Sequence, residues 1–302
     1  MAGSPRLPPR HRRSPPLGQH ELSDENILRR IVDALDPAPD DVVLEVGPGR
    51  GTLTRELLAR GLRVVAVEKD RRLAHECGLR IADCGMGSGE LVLGDALKLD
   101  WHALLGLHPT DPQSAIPNPQ FKVVGNIPYY ITSPLIDKAL TPPLPERVVF
   151  LVQAEVADRL AAHPGSKAYG ALSVGVQVVC RVERLFAVKA GSFRPPPRVE
   201  SAVIRLRPRP DGLVAEHDIR PLREFVTACF GRRRKQLRNV VRSVTGRSGA
   251  AVETGLAALG LDPQARPETL TPQQFANLWQ WAASRESPVV AGAPGGSLRR
   301  RD

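Results

Sequence analysis

Short apolar runs alternate with amphipathic stretches along the N-terminal half of this chain. The runs at 42–46, 63–67, 91–93, 121–124 and 147–152 are built mostly of Val, Leu, Ala and Phe. They are too short for helices and apolar on both faces, which is the pattern of buried parallel strands. Between them, apolar residues recur at helical spacing. Ile27, Leu28, Ile31, Val32 and Leu35 share one face of a helix that Ser23 or Asp24 can cap and that Pro37 and Pro39 end. Further helices are expected at 52–60, from Ser133 as cap with Pro134 at the first helical position, and after the 147–152 strand as far as Leu160. Strands alternating with helices in this way predict an α/β fold with a parallel sheet.

The pattern changes after Leu160. Residues 171–188 read as a long β-rich stretch and 200–206 as a last strand, together adding antiparallel strands to one sheet edge. Between them, Phe193-Arg194-Pro195-Pro196-Pro197 forms a stiff, extended loop whose Pro run pre-orders the backbone around Phe193. The Phe193 ring is either presented at a site or plugs a hairpin connection. Residues 208–212 read as a linker, 220–230 as an amphipathic helix, and Thr271-Pro272 as the start of a last helix with Phe275, Leu278, Trp279 and Trp281 in the core. The expected organisation is a basic disordered tail at 1–18, a sheet domain at 19–208, a small helical domain at 213–286 and a disordered tail at 287–302.

Polar residues stand where the apolar runs stop. Gly47-Pro48-Gly49-Arg50-Gly51 follows the first run, and such a turn between strand and helix lets a ligand approach the backbone. The third glycine of the dinucleotide fingerprint is missing, since Thr52 stands there. Glu68 ends the second run and is placed to hold ribose hydroxyls, and Asp95, after the third, can accept from an adenine amino group. The fourth run leads into Gly125-Asn126-Ile127-Pro128-Tyr129-Tyr130. The Asn126 side-chain oxygen and a carbonyl at Ile127 or Pro128 could accept the two hydrogens of an exocyclic amine and stabilise positive charge developing on its nitrogen. Tyr129 offers a flat face for an unstacked base. Four strand ends in succession line one edge of a parallel sheet, where such folds bind ligands.

Charge narrows the class of partner. The 302 residues carry a net +10, which points to nucleic acid first and a membrane surface second. No apolar run approaches a membrane span, and four cysteines without a CxxC pair read as reduced packing residues, so a soluble, cytoplasmic protein is expected. The Arg-rich start could serve as an organelle transit segment, but its prolines argue against the helix that such segments need. No His or Cys cluster has metal-ligand spacing, so no metal is expected. Residues 231–247 hold Arg232, Arg233, Arg234, Lys235, Arg238, Arg242 and Arg247 and no acid, and Lys167 sits in a loop at 163–167; both are candidate phosphate contacts.

The motifs together resemble the ribosomal RNA adenine N6,N6-dimethyltransferase family. They are Glu45-Val46-Gly47-Pro48-Gly49-Arg50-Gly51, Glu68, Gly94-Asp95-Ala96 and the segment from Gly125 to Leu135, followed by stretches at 153–160, 166–170, 193–202 and 230–239. The likeness runs in order over roughly residues 18 to 285, and the last stretches are most similar to the small-subunit type, which dimethylates two adjacent adenines near the 3′ end of 16S rRNA. The resemblance implies a Rossmann-like methyltransferase sheet with a small C-terminal α-helical domain, and S-adenosylmethionine as cofactor. It places His20, Leu22, Gly47, Glu68, Asp95 and Asn126 at the cofactor, with Tyr129 and Phe193 on either side of the target adenine. It implies a partner, ribosomal RNA within a small ribosomal subunit, and a monomeric enzyme. The chain departs from the family's usual Gly-Gln-Asn-Phe-Leu-x-Asp opening, with His20 in place of Asn and Glu21 in place of Phe. Large-subunit RNA, DNA adenine and a weakly catalytic ribosome-assembly role stay open as alternatives.

Overall fold

The computed structural model describes residues 20–39, 41–83, 89–107 and 121–284; both expected tails and Cys84 lie outside them. The first elements are β1 (Glu21–Leu22), α1 (Glu25–Ala34), β2 (Val42–Val46), α2 (Thr52–Ala59), β3 (Arg63–Glu68), α3 (Arg71–Asp83), β4 (Gly89–Leu93), α4 (Trp101–Leu104) and β5 (Phe121–Asn126). A 3-10 turn (Tyr129–Ile131) leads to α5 (Thr132–Ala139), then β6 (Arg147–Gln153), α6 (Ala154–Leu160), α7 (Ala171–Gln177), β7 (Cys180–Val188), β8 (Phe193–Arg194) and β9 (Ser201–Pro208). Four helices follow: α8 (Ile219–Phe230), α9 (Leu237–Thr245), α10 (Gly249–Ala258) and α11 (Pro272–Ala283).

The main sheet has the order β4-β3-β2-β5-β6-β9-β7. The first five strands are parallel, and β9 and β7 add antiparallel at the edge. Strand order reverses between β2 and β5, so the carboxyl ends of these two strands open a crevice. Side-chain alternation sends Val43, Val64, Val124 and Val149 to one face, under α1 and α2, and Leu44, Val65, Val123 and Val148 to the other. All eight are essentially inaccessible, which is why the runs are continuously apolar. The cluster on the second face extends without a break through Val226, Leu237, Leu256 and Phe275 of the C-terminal helices. Each such side chain contributes roughly 1.5–3 kcal/mol through burial.

At the amino ends of the strands lies an ion-pair network. Buried Lys122 donates to the Asp36 carbonyl and the Asp41 carboxylate, and Arg147 pairs with Asp36 at 3.0 Å. At the start of the fold, Asp24 caps α1 by accepting from Asn26 and Ile27 N–H, while the Ser23 hydroxyl donates to the Ser192 carbonyl.

Two local expectations are corrected. Residues 171–177 form a helix, not a strand. A short apolar run does not distinguish the two by periodicity, and here tertiary contacts decide: the Gln177 amide donates to the Leu160 and Ala162 carbonyls, and the Ser173 hydroxyl donates to the Arg159 carbonyl and accepts from Gly170 N–H. Ser133 does not cap α5. The preceding 3-10 turn runs directly into the helix at Thr132, so Pro134 sits in the first turn, where a missing N–H costs nothing.

Candidate active site

A cavity of about 510 Å³ opens at the carboxyl ends of β2, β3, β4 and β5, within the usual size range of small-molecule sites. His20, Leu22, Gly47, Glu68, Asp95, Asn126 and Tyr129 all line it. The four strand-end groups expected along one edge therefore meet in one place.

The glycine turn forms the floor. Gly47 and Gly49 have φ of +68° and +59°, and a Cβ at either would meet nothing within 4 Å. A side chain there would project into open space and would strain the backbone. Gly125 is needed for a different reason: its Cβ would lie 2.5 Å from the Val46 carbonyl oxygen, so β5 approaches β2 more closely than any side chain permits. Glu68 is held in place by three backbone N–H groups, those of Gly49, Lys69 and Asp70. Three bonds leave one of its roughly four acceptor positions for a ligand hydroxyl.

Asp95 accepts from Leu97 N–H through Oδ1 and from the Lys69 ammonium, 2.9 Å away, through Oδ2. The hydrogen bond to Lys69 holds the Asp95 carboxyl below its ordinary value, and that same bond raises Lys69. Glu45, near the end of β2, is 1% exposed and accepts from the Thr54 hydroxyl at 2.6 Å. Desolvation pushes its carboxyl up to about 7. Neither Lys69 nor Glu45 was singled out from the sequence as a site residue. An acid inside an apolar run was the available signal for Glu45; Lys69 carried none.

Asn126 ends β5 with its amide fixed. Its Nδ2 donates to the His20 carbonyl at 2.8 Å, and Oδ1 accepts from none of the described residues. The Pro128 carbonyl already accepts from Ile131 N–H and the Thr132 hydroxyl. The Ile127 carbonyl accepts from neither of these donors. The Tyr129 hydroxyl is 2.6 Å from the Ser201 hydroxyl, which anchors the ring, and burial raises the phenol above its usual range. Tyr130 is 71% exposed at the cavity mouth.

Phe193 departs from the expectation. Its ring is 1% exposed and is not on the cavity wall. The antiparallel pairing of β1 with β8 sets Leu22 opposite Phe193, and both side chains enter the cluster beneath α1. The wall at this point is made by His20, Arg194 and Pro195. The hairpin-plug reading of Phe193 describes this conformation.

The basic candidates lie elsewhere. Lys167, Arg232, Arg233, Arg234, Lys235 and Arg238 are all exposed, and none lines the cavity. The Arg233 guanidinium donates to the Tyr169 carbonyl, which brings the start of the Arg run beside the loop that carries Lys167.

S-adenosylmethionine fits these residues. Open space over two glycines admits a chain of main-chain size, Glu68 retains a position for a ribose hydroxyl, and Asp95 presents a carboxylate to an adenine amine. Comparison with known proteins agrees. The chain is 45% identical over 270 residues to ribosomal RNA small subunit methyltransferase A of Synechococcus elongatus, covering 86% of this chain and 92% of that protein. It is 41% identical over 266 residues to the protein of the same name from Geobacillus kaustophilus, covering 87% and 88%. Among solved structures, a dimethyladenosine transferase from Plasmodium falciparum superposes with a TM-score of 0.69 at 26% identity, over 86% of this chain and 96% of that one. The 23S rRNA methyltransferase ErmE superposes with a TM-score of 0.64 at 28% identity, over 87% and 100%. The model of the ribosomal RNA adenine dimethylase family matches residues 10–284. With strand-end acids, a glycine floor and an oriented Asn126 in one cavity, and that match over nearly the whole chain, the protein belongs to the ribosomal RNA adenine dimethylase family, whose methyl donor is S-adenosylmethionine.

Proposed function

We propose that this protein dimethylates N6 of two adjacent adenines near the 3′ end of small-subunit (16S) ribosomal RNA, acting as a cytoplasmic monomer on RNA within a small ribosomal subunit. The observation that carries the reading is the state of Asn126. One end of its amide is committed to the His20 carbonyl, and the other is an acceptor on the cavity wall beside Tyr129.

His20, Leu22, Gly47, Glu68 and Asp95 form the cofactor side of the cavity, and Asn126, Ile127 and Tyr129 the side of the target base. The cofactor, when bound, supplies an electrophilic methyl group on a sulfonium. An adenine amine is a poor nucleophile because its lone pair is delocalised into the ring. Oδ1 of Asn126 and the Ile127 carbonyl accept its two hydrogens, favour a pyramidal nitrogen and stabilise the charge that develops on it. Both acceptors are fixed before substrate arrives, so little reorganisation is needed. The methylated amine is acidic and loses its proton to solvent, and no buried base is required. Lys167 and the Arg232–Lys235 run hold phosphates, which positions the RNA without reading its sequence. Among the described residues no helix is long and apolar enough to cross a membrane.

The test is tritiated methyl incorporation from S-adenosylmethionine into separated, unmethylated ribosomal subunits, with digestion to nucleosides. Dimethyladenosine in small-subunit RNA is the expected result. Label in large-subunit RNA would transfer the function to the second reading, which the likeness to the 23S enzyme supports. Tight subunit binding without label would leave an assembly factor.

A further inference from the structure

We infer that Arg223 of α8 is a positioning residue for methyl transfer: through Asp137 it sets the seat of α5, and so of the turn at 127–131 that meets the target amine, which rests on the adenine-methylating reading above. The Arg223 stem lies against α7 where Gly175 leaves room for it. A Cβ at Gly175 would already be in contact with that stem, 3.4 Å from both Cγ and Nε. The guanidinium pairs with the Asp137 carboxylate on α5. The Arg223 side chain is 16% exposed and that of Asp137 58%. A guanidinium withdrawn from water depends on its carboxylate, because loss of one partner leaves the other charge poorly compensated.

Apolar burial holds α5 to the rest of the fold. Leu135, Ile136 and Ala139 are buried in the same cluster as Leu222, Phe225 and Val226 of α8. Such contact is strong but has no direction. The ion pair supplies direction, and it fixes how α5 sits against α8. The turn before α5 has little slack to absorb a shift of that helix. It runs into α5 with no residue between them. Ile131 N–H donates to the Pro128 carbonyl, and the hydroxyl of Thr132, the first residue of α5, donates to the Pro128 and Tyr129 carbonyls. A change in the seat of α5 is therefore passed back along the turn toward Ile127. In the other direction, the Arg232–Lys235 run begins just past the end of α8, roughly two turns beyond Arg223. The helix that leads to the candidate phosphate contacts thus also seats the catalytic turn, and the helical domain does more than clamp RNA.

Three substitutions separate this role from a structural one. Asp137→Asn removes the charge from a largely exposed side chain, Asp137→Glu keeps it, and Arg223→Met keeps only the stem. The assays, on the full chain, are steady-state methylation of unmethylated small subunits, filter binding to the same subunits, and urea unfolding to give the folded fraction under assay conditions. Asp137→Asn is expected to lower kcat per folded enzyme by roughly 10- to 100-fold, the upper figure being the cost of a 1 Å misplacement, with subunit affinity near wild type. Asp137→Glu is expected to recover most of the rate. Arg223→Met is expected to match Asp137→Asn, and the double variant to be no slower than either, as for two residues that act as one unit. An unchanged kcat per folded enzyme would overturn the inference. So would equal loss in the Glu and Asn variants, or losses that multiply in the double variant. A raised KM with kcat intact would also overturn it and would make the pair part of RNA docking. If wild-type enzyme forms no dimethyladenosine in small subunits, the parent reading falls and takes this inference with it; that result is visible before any variant is made.

Discussion

Glu45→Gln isolates the effect of a buried acid beneath the cofactor floor. Glu45 is 1% exposed, and burial moves its carboxyl from an ordinary 4.5 to about 7, against the opposing pull of the Thr54 hydroxyl bond. At about 1.4 kcal/mol per pH unit, the displacement corresponds to about 3 kcal/mol. Because the folded-state value is raised, the favourable contribution of the neutral acid is complete below pH 4.5. It is lost progressively as pH rises to about 7, because over that window unfolding releases a proton. Glutamine is neutral throughout and keeps an oxygen for the Thr54 hydroxyl. The variant should therefore match wild type near pH 4.5 and exceed it by about 3 kcal/mol at pH 8, read from urea unfolding followed by tryptophan emission. A difference between the two proteins that does not change with pH would refute the reasoning, since it would mean that Glu45 carries the same charge folded and unfolded across the window.

Asn126→Ala should lower kcat by roughly 10²–10³ while leaving RNA affinity near wild type, measured by single-turnover methylation and filter binding; a near-normal rate would reject its acceptor role. Gly125→Ala forces a methyl group to within 2.5 Å of the Val46 carbonyl oxygen and should cost about 1–3 kcal/mol, seen as a lower Tm, with a loss of turnover as Asn126 shifts. Lys69→Met frees the Asp95 oxygen now bound by the ammonium and should tighten S-adenosylmethionine binding a few-fold in calorimetry, whereas weaker binding would show that the ammonium helps hold the ligand. Replacing Arg232, Arg233 and Arg234 by Ala should flatten the salt dependence of RNA binding, by about 0.7–0.9 in the log–log slope for each phosphate no longer neutralised; an unchanged slope would count against a phosphate-binding role.

The parallel sheet and the ends of its strands were legible because their signal is local. An apolar run that stops at a polar residue marks both a strand and its edge, so the sequence pattern alone sets Gly47, Glu68, Asp95 and Asn126 along one sheet edge, and all four line the cavity. What escaped depends on partners distant in the chain. Phe193 turns inward because it pairs with Leu22, and the two are brought together only by the complete fold. His20 lines the cavity wall and bonds to the Pro195 carbonyl, a contact no periodicity encodes. The helix at 171–177 lies on the same side of that divide. Its Val-rich composition suits a strand, and it is helical because Arg159, Leu160 and Ala162 present carbonyls to its polar side chains. Lys69 was missed for a simpler reason, since a lysine beside a strand end is common and only its distance from Asp95 sets it apart.

The two ends of the parallel strands carry different burdens. Lys122, Asp41, Arg147 and Asp36 knit the amino ends together, far from any ligand, while the carboxyl ends carry Glu68, Asp95 and Asn126 in a cavity. Such a division makes the fold evolvable. Substrate preference can drift by exchange at the carboxyl rim without disturbing the ion pairs at the amino ends. Damaging substitutions should accordingly sort into two spatial classes, one depleting the amount of folded protein and the other silencing protein that is abundant, with the length of a single strand between them.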